Sequence, residues 1–219
     1  MDSQNIITSI EKSFSDSENV NAPMTHIAEN ASFYRPGAIR GDAFSQMQLA
    51  SCYRSGLGVK RNLVEAYKWY RKAAEQGLTD AQYYLAIACY NGEGTKKDYK
   101  EAFNWFAKAA SGGHIDAMYR LTIFYSAGMG TDEDKAEALR IIISLATEYN
   151  YAIAQFNLAI CYYRGFYGLM ADGNTALYWL ERALSCEGAL PEIALVYADK
   201  FMELLKSEGY SSTWVNFTT

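Results

Sequence analysis

A block of about 36 residues returns along this chain, and nothing else in the sequence constrains the fold as strongly. Ser45 to Gly77 reads SQMQLASCYRSGLGVKRNLVEAYKWYRKAAEQG, and Ala81 to Gly113 repeats it as AQYYLAIACYNGEGTKKDYKEAFNWFAKAASGG. Ala117 to Asn150 and Ala154 to Gly188 are weaker copies. The glycines Gly56, Gly92, Gly128 and Gly165 recur at steps of 36, 36 and 37. Ala66, Ala102, Ala138 and Ala176 recur at steps of 36, 36 and 38. A fixed period of this size sets the architecture, because each repeat is one supersecondary unit that buries its apolar face only against its neighbours. The irregularity of the last copy falls in its turn, where GFYG replaces the spacing of GLG, GEG and GMG. An insertion belongs there, since one residue added inside a helix rotates everything after it by about 100°.

Each repeat reads as helix, glycine turn, helix. The first helices carry Ser45, Leu49, Ala50, Tyr53; Ala81, Leu85, Ala86, Cys89; Ala117, Leu121, Thr122, Tyr125; and Ala154, Leu158, Ala159, Tyr162, at offsets that stack on one face. A glycine able to take the left-handed conformation ends each of them. The second helices open near Asn62, Asp98, Asp134 and Asp172, residue types that cap free N–H groups. Their inner faces are expected to be Ala66, Trp69, Tyr70, Ala73; Ala102, Trp105, Phe106, Ala109; Ala138, Ile141, Ile142, Leu145; and Ala176, Trp179, Leu180, Ala183.

The predicted fold class is all-α, an α-solenoid of about four helix–turn–helix repeats with capping helices at both ends. Residues 1–40 are read as an N-terminal helical cap or degenerate repeat, with short helices over 3–15 and Met24–Tyr34, the latter ended near Pro36. The repeats span 41–77, 78–113, 114–150 and 151–188. Residues 189–219 are read as a capping helix, opened by Pro191 and ending near Gly209, and a tail carrying Trp214 and Phe217.

Composition narrows the function classes. The formal net charge is −5, and the one basic cluster, Lys96, Lys97 and Lys100, is interrupted by Asp98 and Glu101, which argues against a phosphate-backbone binder. No run approaches the roughly 20 apolar residues of a membrane span, and the start MDSQNIITSIEKSFSD lacks the features of a secretory signal. A cytoplasmic protein is expected. Cys52, Cys89, Cys161 and Cys186 form no CxxC pair and read as buried thiols. Only His26 and His114 are available as bases, and His114, in an inter-repeat turn beside Asp116, reads as solvated. No HExxH, GxSxG or phosphate loop occurs, and the acidic run Asp132-Glu133-Asp134 offers too few oxygen ligands for calcium. No catalytic residue, metal ligand or cofactor is expected.

These residues resemble the Sel1-like repeats, a family related to tetratricopeptide arrays. Its pattern, approximately AxxxLGxxYxxGxGVxxDxxKAxxWYxKAAxxG, is met in the first copy at Leu49, Tyr53, Gly56, Gly58, Val59, Ala66, Trp69, Tyr70, Lys72, Ala73, Ala74 and Gly77. The second copy meets it at Ala81, Leu85, Gly92, Gly94, Asp98, Ala102, Trp105, Lys108, Ala109, Ala110 and Gly113. The third lacks the tryptophan and the closing motif, and the fourth has an expanded turn. The resemblance implies a curved solenoid whose first helices line the concave side, and a non-enzymatic adaptor or scaffold that binds a partner protein or peptide there. It also admits an immunity protein that neutralises a toxin or secreted effector. A regulatory subunit with an unrecognised active site in the third repeat is a further alternative. The motif residues are architectural, so none transfers as a ligand or catalytic residue.

The candidate partner-binding face follows from the helical wheel. Met47, Tyr83, Tyr119 and Phe156 lie two residues past the start of each first helix, and Ile87, Ile123 and Ile160 lie six past. These positions fall near 200° and 240°, away from the core set at 0–80°. Tyr84, Arg120 and Asn157, three past the start, flank them. An aromatic face with a polar edge suits peptide recognition. The competing expectation is that the stripe packs adjacent first helices together. Capped ends imply a monomer; no nucleic acid partner and no membrane span are expected.

Overall fold

The computed structural model describes residues 30–185 and 190–211. The expected helix over 3–15, most of that over Met24–Tyr34, His26, Cys186 and the tail with Trp214 and Phe217 lie outside the described residues. Ten α-helices are present among the described residues: α1 Ala31–Ile39, α2 Ala43–Ser55, α3 Leu63–Glu75, α4 Thr79–Asn91, α5 Tyr99–Ser111, α6 Ile115–Ala127, α7 Lys135–Thr147, α8 Ala152–Arg164, α9 Gly173–Leu184 and α10 Glu192–Ser207. A short 3-10 turn, Phe166–Gly168, precedes α9. The chain divides into two units, one holding residues 30–138 and the other residues 139–211.

The hairpin ends are set by the residues that recur. Gly56, Gly92, Gly128 and Gly165 close α2, α4, α6 and α8 in the left-handed region, at φ of 83°, 78°, 62° and 65°. Each of the following second helices is capped by a side-chain oxygen. The Oδ1 atoms of Asn62, Asp98 and Asp134 accept from the N–H of Glu65, Glu101 and Glu137 at 3.2, 2.8 and 2.9 Å. Asp172 accepts from Asn174 and Thr175 at 3.0 and 3.3 Å.

In the unit of residues 30–138, α2 pairs with α3 and α4 with α5, while α3 packs on α4 and α5 on α6. The core is built from small and large residues in alternation. Ala66, Ala73, Ala81, Ala86, Ala102, Ala109 and Ala117 allow close approach, and Leu49, Leu85, Phe106 and Phe124 fill the spaces between. Trp69 and Trp105, expected on the inner faces, are only half-buried. The ammonium groups of Lys72 and Lys108 stand 4.0 and 3.9 Å over those rings and cover their outer sides.

A polar side chain recurs inside this core. Gln46 Nε2 donates to Ala38 O, and Gln82 Nε2 donates to Ala74 O, each at 3.2 Å. The amide adds a second donor to a carbonyl in the last turn of the preceding helix, which also accepts from Gly41 N after α1 and Gly77 N after α3 at 3.1 and 3.0 Å. The same bond identifies α1. Tyr34, Gly37, Ala38 and Gly41 stand at the repeat spacing from Tyr70, Ala73, Ala74 and Gly77, so α1 is the second helix of an eroded repeat. It starts at Ala31, capped by Asn30 Oδ1 on Ser32 N at 3.0 Å, and runs through Pro36 to Ile39, past the expected stop. Pro36 there removes only the bond to the exposed Ser32 turn.

In the unit of residues 139–211, α8 pairs with α9 and α9 packs on α10. Leu158, Leu177, Leu180 and Leu205 are fully enclosed. Gln155 Nε2 repeats the glutamine device, donating to Ala146 O at 3.1 Å. Trp179, unlike its counterparts, is buried. Helix α10 ends before Gly209, which has φ of 85°; Ala194, Ala198 and Leu205 are buried and Leu204 is exposed.

Candidate protein-interaction face

The ten expected face residues separate by burial. Met47, Tyr83 and Tyr119 are 8%, 8% and 7% exposed, Ile87 is 2% exposed, and on α8 Phe156 is 1% exposed. Tyr84, Arg120 and Ile123, and on α8 Asn157 and Ile160, are half-buried. Met47 through Ile123 lie in the unit of residues 30–138, and Phe156, Asn157 and Ile160 in the other. The offset-two side chains are therefore packed. The Tyr83 ring meets Phe106 edge-on at 5.8 Å and stacks on His114 at 4.2 Å.

The physical reason is the number of neighbours. A helix inside a stack is covered by the helix before it and the helix after it, so a wheel with a single core face underestimates the buried arc. In α4, eight residues are buried: Ala81, Gln82, Tyr83, Leu85, Ala86, Ile87, Ala88 and Cys89.

What stays accessible on the first helices of this unit is one step further round. Tyr84 stacks on Tyr70 at 5.4 Å, and the Arg54 guanidinium lies 5.4 Å from the Tyr84 ring centre. Burial raises the Tyr70 phenol to about 12, so it stays protonated. Beside them, Tyr90, Phe106, Arg120, Ile123 and Phe124 line a shallow cleft where α4, α5 and α6 meet. The cleft floor is aromatic, with Phe106 against Phe124 at 5.4 Å and Tyr90 against Phe124 at 5.8 Å.

His114 is not the solvated turn residue expected. It is the N-cap of α6: its Nδ1 accepts from Ala117 N at 3.2 Å, and its side chain is 16% exposed, with Nε2 3.9 Å from Asp80. On the second-helix side, Arg71 donates to both Tyr67 and Glu101, tying α3 to α5. Cys89 lies against this group, and burial raises its thiol to about 12, with Glu101 adding to the shift. Cys52, Cys89 and Cys161 are free and buried, and such thiols are poor nucleophiles. Among the described residues no cluster of metal-ligating side chains occurs, and no helix is long and apolar enough to cross a membrane.

Comparison with known proteins sets these features in a family. The Sel1 repeat model matches residues 43–78, 79–114, 115–141 and 152–186. No curated protein matches the chain. Among solved structures, a Sel1 repeat protein from Oxalobacter formigenes is 32% identical with a TM-score of 0.70, covering 84% of this chain and 70% of that one. The antigen c5321 of uropathogenic Escherichia coli, described as protective and as displaying an SLR fold, is 27% identical with a TM-score of 0.66, covering 82% of this chain and 42% of that one. The repeat register, the turn glycines and the family match agree, and the chain belongs to the Sel1 repeat family, an all-α solenoid fold.

Proposed function

We propose that this chain is a non-catalytic interaction module that holds a partner polypeptide on the first-helix face of residues 30–138. The observation that carries this reading is the pairing of half-exposed side chains with a rigid bed. Tyr84 is clamped between Tyr70 and Arg54, and Arg120 and Ile123 rim a cleft floored by Phe106 and Phe124. Aromatic side chains already held in place lose little freedom on binding, which is what makes them anchors. Family membership supports protein binding as the class of activity. The engagement of His114 as a helix cap and the inert state of the buried thiols support a scaffold rather than an enzyme, and free cysteines suit a reducing, cytoplasmic setting.

The test uses the full chain as bait in its native host, with Tyr84→Ala/Ile123→Ala as the comparison. The wild type is expected to retain a discrete partner that the double variant loses, with the melting temperature of the variant shifted by only a few degrees. Retention of the same partner by both proteins refutes the assignment of the face. A captured toxin whose activity falls on binding would specify the module as an inhibitor.

A further inference from the structure

One edge of the unit of residues 30–138 is made of the hairpin turns, and equivalent positions there carry different charges. The two residues just before each second-helix cap are Lys60-Arg61, Lys96-Lys97 and Asp132-Glu133, all exposed. The turns lie against one another. A Cβ placed on Gly94 would fall 2.1 Å from Leu63 O and 2.8 Å from Val64 N, so the second turn rests on the start of α3, directly after Lys60-Arg61. A Cβ on Gly130 would fall 2.4 Å from Tyr99 O and 2.6 Å from Lys100 N, so the third turn rests on the start of α5, directly after Lys96-Lys97. The first two turns thus gather five exposed cations on one edge, Lys100 included, with Glu93 and the cap Asp98 among them, and the third turn ends this strip with carboxylates.

The strip runs against local electrostatics. Cations just ahead of a helix oppose the positive end of its dipole, whereas Asp132-Glu133 ahead of α7 obey the rule. Two adjacent turns of a chain with net charge −5 break the rule in the same way. None of Lys60, Arg61, Lys96, Lys97 and Lys100 forms an ion pair among the described residues. Arg61 Nε donates to Arg54 O at 3.1 Å, which fixes that guanidinium on the edge, and Lys97 Nζ sits 5.8 Å from the Tyr99 ring centre. Those two contacts hold single members of the group, and the gathering of like charge on adjacent turns with no carboxylate paired to it is where function is expected.

We propose that Lys60, Arg61, Lys96, Lys97 and Lys100 dock a short acidic segment of a partner protein, and that Asp132 and Glu133 set where that segment stops. The pattern favours a polypeptide over a nucleic acid. A phosphate backbone is a continuous line of charge and would be carried on to the carboxylates of the third turn, whereas a cluster of a few glutamates or aspartates matches a strip two turns long. Like-charge repulsion at its end fixes register. This surface shares no residue with the first-helix face, so each can fail without the other.

The test is fluorescence anisotropy of the full chain with a labelled peptide of six glutamates at about 20 mM and about 150 mM salt, since exposed charges are screened between those limits. Competition with an unlabelled single-stranded oligonucleotide runs alongside. K60Q/R61Q/K96Q/K97Q is expected to weaken low-salt binding by about tenfold or more, and D132N/E133N to tighten it severalfold. Tyr84→Ala/Ile123→Ala is expected to bind the peptide as the wild type does. All the charge positions are exposed, so helicity by circular dichroism should be unchanged. Affinity of the quadruple variant within about twofold of wild type overturns the proposal. So does an oligonucleotide that competes better than the unlabelled peptide.

Discussion

The second repeat and the fourth solve the same problem with different parts. Both end the first helix on a left-handed glycine, Gly92 and Gly165, and both start the second helix on an aspartate cap, Asp98 and Asp172. Between those points they diverge. The second repeat turns through a glycine pressed against the backbone of α3. The fourth inserts a residue, makes a 3-10 turn and holds Tyr167 at φ of 56°, leaving Met170 87% exposed. The second closes with Gly113 in the left-handed region. At the end of α7 the corresponding place falls to Asn150, at φ of 50°, whose Oδ1 accepts from Gln155 Nε2 at 2.7 Å. The backbone conformation is what the repeat preserves. The side chain that achieves it is replaceable wherever another group can satisfy the same atoms.

The largest break in this comparison is expected at the close approach. Gly94→Val adds a branched side chain where even a Cβ overlaps the Leu63 carbonyl, and does so at φ of 74°. A loss of at least about 3 kcal/mol is expected from overpacking and left-handed strain together. Gly113→Ala is the control, since it has φ of 88° but nothing within 4 Å of the added atom. It should cost about 1–2 kcal/mol, the strain alone. Chemical denaturation of the two variants checks the difference, and equal losses would mean that the turn yields.

The buried ring is next. Tyr83→Ala removes the side chain that bridges Phe106 and His114, and a loss of about 3 kcal/mol is expected. Retained stability with loss of partner capture would return this residue to the accessible face. The period, the hairpin boundaries, the turn glycines and the caps Asn62, Asp98, Asp134 and Asp172 are all legible in the sequence, because each is a local rule repeated in register. The face residues are legible only to within one helical position. Tyr83 and Tyr84 are neighbours in the chain, and which of them is covered depends on helices α3 and α5, not on the wheel of α4. Gln46, Gln82 and Gln155 escape a composition-based reading because an amide counts as surface. Their recurrence at the repeat spacing is the signal that marks them as structural.

Gln82→Met tests that signal by copying the third repeat, which has Met118 at the equivalent place. Methionine keeps the volume and removes the side-chain donor to Ala74 O, which keeps its bond from Gly77 N at 3.0 Å, so about 1 kcal/mol is expected to be lost. No loss would mean that the Gly77 N–H alone satisfies the carbonyl.

The smallest effect separates the fourth repeat's cap from the others. Asn62, Asp98 and Asp134 are each followed three residues on by glutamate, whereas Asp172 is followed by Thr175, whose hydroxyl donates to Asp172 Oδ2 at 2.6 Å. That hydrogen bond, with those from the backbone N–H groups of Thr175 and Asn174, lowers the Asp172 carboxyl below its usual 3.8. A folded-state value below the unfolded one means that the carboxylate stabilises the fold above about pH 4. The stabilisation disappears as the pH falls through the lowered value. Asp172→Ala is therefore expected to cost about 1 kcal/mol at neutral pH. Its denaturation midpoint should converge on that of the wild type as the buffer is taken below about pH 3. Thr175→Val tests the cause: with the backbone donors kept and the hydroxyl gone, the convergence should move to higher pH. An unchanged pH profile would assign the shift to the backbone N–H groups alone.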